Sequence, residues 1–292
     1  MKHLLILALL IVSITFGQSK AGITAASFLG IGTGARAMGM AGAVTAIAGD
    51  AANNYWNPGS ISRIKGNQIH FTGADWLVDT KWNLFSAIIH PDANKAIGIY
   101  LTHLDYGEEV VTTVDEQNGT NDYWSAVDIA FGLAYCQNLT DRFSMGTTAK
   151  YIYQSIYNET ASSGAMDVGL LYQNVAGNLR LGMNISNIGF DMIMEGKDLY
   201  KRIDLDPDSE GNNETIVASL KTDYWPLPII FRVGVSTDIL VFNSKKMTVA
   251  IDGVLPSDDV EYFNIGGEFQ PIQSVLVRCG YRQLGNSSSE EG

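Results

Sequence analysis

From residue 67 onward the chain alternates apolar and polar residues with a period of two. Leu179, Leu181, Met183 and Ile185 interleave with Arg180, Gly182, Asn184 and Ser186. Phe231, Val233 and Val235 interleave with Arg232, Gly234 and Ser236, and Val275, Val277 and Tyr281 with Arg278, Gly280 and Arg282. Successive side chains of an extended strand point to opposite faces, so each stretch has one apolar and one polar face. The alternation predicts about eleven strands. They fall at 67–75, 82–90, 95–103, 125–136, 142–154, 164–173, 177–187, 229–237, 246–254, 261–270 and 274–283.

Most of these are near the roughly 9–11 residues that cross a bilayer as a tilted strand. Their connections also differ in kind. Residues 91–94, 137–141, 174–177 and 270–274 are short turns, whereas 105–124 and 188–228 are long, polar and acidic. Short turns on one side and long loops on the other are the layout of an outer-membrane barrel. Trp82, Trp124, Tyr135, Tyr153, Tyr172, Trp225 and Tyr281 cluster near strand ends, where interfacial girdles are expected. A soluble sandwich alternates too, but strand length, the two-sided loop layout and export favour a transmembrane antiparallel β-barrel.

Export is read from residues 1–20. Lys2 and His3 precede the apolar run Leu4–Phe16, and Thr15 and Gly17 suit cleavage before Gln18. The run is short for a spanning helix, and no later stretch reaches the ~18 apolar residues that one needs. The mature protein is therefore expected in the bacterial outer membrane, with lipid as its first partner. A formal net charge of −12 argues against nucleic acid, since phosphate binding wants a basic face. Cys136 and Cys279 could pair in an exported chain, yet both occupy alternating positions where a cysteine serves as a small hydrophobe.

Residues 21–66 break the pattern. Small residues dominate from Ala26 through Gly32, Gly34, Arg36 and Gly39 to Ala48, followed by Asp50 and the run Tyr55-Trp56-Asn57-Pro58-Gly59. Such a composition suits short helices and close-packed turns. Gly32-x-Gly34-x-x-Ala37, with Asp50 downstream, also matches a dinucleotide fingerprint, which carries meaning only after a strand and inside a βαβ unit. Neither context is expected here.

This segment resembles the PorV/PorQ group of outer-membrane proteins, relatives of the FadL-type transporters. The resemblance rests on Phe28 through Arg36-Ala-Met-Gly39 to Asp50-Ala and Tyr55–Gly59. It extends to Val249-Ala-Ile-Asp252-Gly-Val-Leu-Pro256, Asn264-Ile-Gly266-Gly-Glu268 and Val277-Arg278-Cys-Gly280-Tyr281-Arg282. Family members often carry Asn-Pro-Ala where this chain has Asn57-Pro58-Gly59. The resemblance implies a barrel of about fourteen strands with an N-terminal plug or hatch, here residues 21–66, entering from the periplasmic, short-turn side. It also implies either work in type IX protein secretion, with secretion components and secreted proteins as partners, or passage of hydrophobic small molecules. An even strand count and the cost of an open edge in lipid lead to the expectation that the barrel region, 67–292, is short by about three strands at its C-terminal end.

The plug candidates are Gly32, Gly34, Arg36, Gly39, Asp50, Trp56, Asn57 and Pro58. Arg36, among small apolar neighbours, needs water or a carboxylate partner. By alternation Asp128, Lys150, Asp167, Arg180, Arg232, Asp252, Glu268, Arg278 and Arg282 face the lumen. Their charges are expected to pair with one another, although the arginines could instead form a basic lining. The loop 204–214 has acidic residues but not the Gly and Glu positions of an EF-hand. His3, His70, His90 and His103 lack metal spacing. No catalytic constellation or cofactor motif emerges, and a non-enzymatic protein is expected.

Overall fold

The computed structural model describes residues 22–174, 178–204, 216–241, 245–272 and 274–284. The export segment 1–20, most of the acidic loop 204–214 and the tail 285–292 lie outside the described residues. No helix among the described residues is long and apolar enough to cross a membrane.

Eleven long strands form one antiparallel sheet in chain order. They are β1 (Gln68–Asp75), β2 (Lys81–Asp92), β3 (Lys95–Val110), β4 (Tyr123–Asn138), β5 (Phe143–Ile156) and β6 (Glu159–Asn174). The order continues with β7 (Leu179–Gly189), β8 (Ile230–Val241), β9 (Lys245–Pro256), β10 (Tyr262–Ile272) and β11 (Val275–Leu284). Each coincides with a predicted stretch, but several run further toward the long loops. β3 continues past residue 103 because Glu108, Glu109 and Val110 still pair with Ser125, Trp124 and Tyr123. A 16-residue strand spans about 53 Å at ~3.3 Å per residue, so its end stands clear of a bilayer core about 30 Å thick. Between β7 and β8 the long loop makes its own two-stranded hairpin, Tyr200–Ile203 against Ile216–Ser219.

The two faces of the sheet are the reverse of those in a soluble sandwich. Phe131, Leu133 and Tyr135 of β4, Met145 and Tyr151 of β5, and Leu181 and Met183 of β7 are exposed. Their neighbours on the other face, including Asp128, Ser144, Thr148, Lys150 and Asn184, are buried. Apolar residues outside and polar residues inside suit a lipid solvent. Cys136 is buried on the inner face and Cys279 is exposed, and both are free. One expected girdle residue departs from its assignment. Trp82 faces inward at 2% exposure, edge-on to Phe28 with ring centroids 6.3 Å apart. Most of the inner face of β2 and β3 is apolar (Trp82, Leu84, Ile88, Tyr100 and Leu104), because the plug, rather than water, packs against it.

That plug is the axis of the fold. Its short elements are a 3-10 turn at Ser27–Gly30, helix α1 (Ala35–Gly39), helix α2 (Asn53–Trp56) and a 3-10 turn at Pro58–Arg63. Ala51 accepts from Ser86 of β2, Ser62 meets Cys136 of β4, Gly59 accepts from Ser144 of β5, and Asn57 donates to Leu170 of β6. Ala46 accepts from Ser236 of β8 and Thr45 donates to Asp252 of β9. A Cβ at Gly266 of β10 or Gly280 of β11 would strike Met40, and one at Gly34 would lie 4.0 Å from His70 of β1. A sheet whose first and last strands both reach one short segment is curled around it. The direction of the plug differs from an entry at the short-turn side. Thr24 bonds Asp258 at 2.8 Å and Ala26 bonds Gln154 at 3.0 Å, both near the long loops. At its other end, Arg63 bonds the carbonyls of Thr140 and Asp141 in a short turn. The segment thus threads the lumen from end to end.

Candidate functional site

The plug holds itself together through side-chain to main-chain bonds, since helices of four or five residues cannot stand alone. Trp56 Nε1 donates to the Thr33 carbonyl at 2.9 Å, and the Tyr55 hydroxyl lies 2.6 Å from the Leu29 carbonyl. Asn53 donates to the Ile47 carbonyl. Gly34 opens α1 at φ 88°, a conformation that disfavours other residues. Gly32 lies against Met38 and Trp56, and Gly39 against Arg278. Asp50 accepts from the Ala52 N–H at 3.0 Å, a local turn bond two residues on. No strand precedes the glycine-rich segment among the described residues, so the βαβ context of a dinucleotide fold is missing.

Asn57 is the anchor. Its Nδ2 donates to the Thr45 carbonyl at 2.7 Å and to the Leu170 carbonyl at 3.0 Å, while Oδ1 accepts from Gly59 N at 2.9 Å. One amide thereby ties two plug turns to the barrel wall. Pro58 and Gly59 press into that wall: a Cβ at Gly59 would stand 2.5 Å from the Gly169 backbone. The Asn-Pro-Gly spelling follows from this contact.

The lumen charges sort into two groups. Arg36 of α1 meets Glu268 of β10 at 2.7 Å, and Arg278 of β11 takes the other carboxylate oxygen, also at 2.7 Å. Lys150 and Asp167 form a fully buried pair at 2.7 Å, with Asn187 bonded to both. Arg180 pairs with Asp238, which also takes Lys246. Asp238 escaped the sequence reading because it lies just beyond the predicted end of its strand, although its place one alternation step past Ser236 could have revealed it. Asp128 is held by neutral donors, Tyr106 and Gln154, and Asp252 by the Thr45 N–H. For Arg232 and Arg282 the expected carboxylate partner is missing. Among the described residues neither makes an ion pair; Arg232 lies over the Trp56 ring at 5.4 Å and Arg282 over Tyr262 at 5.9 Å.

Two cavities flank the plug beside β10 and β11. One, of about 390 Å³, lies toward the short turns and is lined by Arg36, Asp50, Lys246, Glu268 and Arg278. The other, of about 210 Å³, lies toward the long loops between Trp56, Arg232, Tyr262, Asn264 and Arg282. Arg36–Gly42 of the plug separates them. Each combines charged side chains with apolar wall, and the plug fills much of the space between them.

Residues 15–198 match the family described as Type IX secretion system protein PorV. The chain belongs to the PorV family. No curated protein matches this PorV-family chain in sequence. Among solved structures it is similar to the Pseudomonas putida toluene transporter TodX, at 13% identity and a TM-score of 0.54, with 85% of this chain and 82% of that one covered. The CymD monoaromatic hydrocarbon channel matches at 11% identity and a TM-score of 0.53, with 85% and 82% covered. A Pseudomonas aeruginosa FadL homologue matches at 11% identity and 0.51, with 89% and 80% covered. At such identities the likeness concerns fold, that of an outer-membrane channel barrel. This PorV-family chain is accordingly an outer-membrane β-barrel protein.

Proposed function

We propose that this protein is a non-enzymatic component of type IX-type protein secretion or surface assembly, reaching the outer membrane through a cleaved export signal. The observation that carries the reading is the filled lumen. A hydrophobic-molecule conduit needs a continuous apolar passage, and ligand pockets are mostly apolar spaces of ~300–1,000 Å³. Here a plug bonded to the wall along its length leaves two separate cavities, each with charged side chains in its lining. Exposed apolar surface lies instead on the loop side, at Phe190, Tyr200, Val217, Leu220 and Tyr224, and supports a protein contact there. Aromatic and aliphatic clusters of this kind mark protein contacts.

The test is crosslinking and pull-down of the full chain from native outer membranes. Recovery of secretion components or secreted proteins is expected, and their loss on replacing Tyr200 and Tyr224 with Ser would locate the surface. Recovery of the barrel alone, together with reduced uptake of hydrophobic compounds in a deletion strain, overturns the proposal in favour of hydrophobic transport.

A further inference from the structure

Arg232 is 6% exposed, on the inner face of β8. Its only hydrogen bond among the described residues runs from Nη1 to Ser186 Oγ at 3.2 Å. A guanidinium carries five N–H donors and a charge that stays on at any ordinary pH. Other cations of this lumen follow the expected rule: buried Lys150 has Asp167, and half-buried Arg180 has Asp238. Arg232 has a neutral hydroxyl and the face of Trp56. One carboxylate close enough to feel its field, Asp252, accepts from the Thr45 N–H and makes no ion pair with Arg232.

Arg232 also borders the 210 Å³ cavity, and Arg282, which likewise makes no ion pair among the described residues, borders the same space. Asn264 and Tyr262 add neutral polar groups, and Trp56 and Val254 add apolar wall. No carboxylate lines this cavity among the described residues, so the two cations border it without a counter-charge there, and an anion in it would be attracted by both. The volume equals about seven waters at ~30 Å³ each, enough for an oxyanion with a small planar or apolar group attached. Guanidinium forks match the paired oxygens of carboxylates and phosphates.

We infer that the cavity between Trp56, Arg232, Tyr262 and Arg282 is a binding site for a single oxyanion group, a carboxylate or a phosphoryl, entering from the long-loop side. The site is independent of whether the barrel serves secretion or transport. Each of its two cations lies over an aromatic ring, and the plug supplies one of those rings, Trp56.

The purified full chain in detergent micelles would be titrated calorimetrically with sodium benzoate, inorganic phosphate and neutral benzamide at constant ionic strength. Saturable binding of benzoate, phosphate or both at one site is expected, with benzamide at least tenfold weaker. A preference for benzoate assigns a carboxylate ligand, and a preference for phosphate a phosphoryl one. Arg282→Gln, at an exposed position, should weaken binding at least tenfold, whereas Lys95→Gln, which removes a positive charge far from the cavity, should leave it unchanged. Arg232→Lys keeps the charge but loses the fork, and should fall between them. Heat-modified migration on cold gels verifies that each variant is folded. The site is overturned if neither anion binds, if benzamide binds as tightly as benzoate, or if Arg282→Gln and Lys95→Gln weaken binding equally.

Discussion

Arg36 of the plug and Glu268 of β10 are 2.7 Å apart although 232 positions separate them in the chain. Glu268 is shared, since its second oxygen accepts from Arg278 Nε. This makes one carboxylate the clasp between plug and wall. Glu268→Gln leaves two guanidiniums facing a neutral amide, and Arg36→Gln leaves the Arg278–Glu268 pair intact. Losing one partner of a buried pair costs ~3–5 kcal/mol, and an exposed pair is worth under ~1. The two arginine side chains are 20% and 24% exposed, so a loss of about 1–3 kcal/mol is expected for Glu268→Gln, and less for Arg36→Gln. Urea unfolding in detergent, followed by tryptophan fluorescence, checks the order. Equal midpoints for Glu268→Gln and the parent protein would refute the clasp.

The Lys150–Asp167 pair differs in kind because both side chains are buried, at 3% and 0% exposure. Desolvation works against each charge, and only the partner and Asn187 compensate. Lys150→Met should therefore destabilise by about 3–5 kcal/mol, the cost of an orphaned carboxylate. Lys150→Met with Asp167→Asn should recover most of that loss, because no buried charge remains and an amide oxygen can still accept from the Asn187 N–H. A double variant as unstable as the single one would mean that Lys150 matters for its packing, not its charge.

The alternation located every long strand because a barrel wall between lipid and a polar interior imposes period two. It failed at strand ends such as Asp105–Val110, where both faces meet water and nothing enforces a pattern. It also misplaced Trp82. An inward apolar residue makes sense only once an apolar plug is known to lie behind it, and period two does not record what occupies the lumen. Arg36 was legible as a residue needing a partner, and Glu268 was among its candidates. The division of the arginines was not legible: Arg180, Arg232, Arg278 and Arg282 occupy equivalent alternating positions, and only the fold shows that two have carboxylates and two have rings.

Gly59 tests how tightly the plug is seated. A Cβ there would lie 2.5 Å from the carbonyl of Gly169, a backbone atom that cannot swing aside. Gly59→Ala should lose about 1–3 kcal/mol, the usual cost of overpacking a filled core, or prevent the heat-modifiable form. Gly30 has nothing within 4 Å of its would-be Cβ, so Gly30→Ala serves as a neutral control in the same segment. Full folding of both variants would show that the plug is loosely seated and that the Asn-Pro-Gly spelling has another origin.

Leu133 separates a lipid-facing wall from a water-facing one. It lies on the outer face of β4 at 51% exposure, between Phe131 and Tyr135. In a soluble protein, arginine at so exposed a position would be nearly neutral. On the lipid face of a barrel it costs ~2–4 kcal/mol at the bilayer midplane, falling to ~0–1 at the interface. The structure therefore predicts that Leu133→Arg lowers the urea midpoint in lipid vesicles. Thr147→Arg, on the same outward register but nearer a short turn, should cost less, because its long stem can carry the charge to the headgroups. In detergent micelles, which thin around a charge more readily than a bilayer, the difference between the two should shrink. Equal, near-zero effects in vesicles would mean that this face does not meet lipid, and the barrel assignment would fall with it.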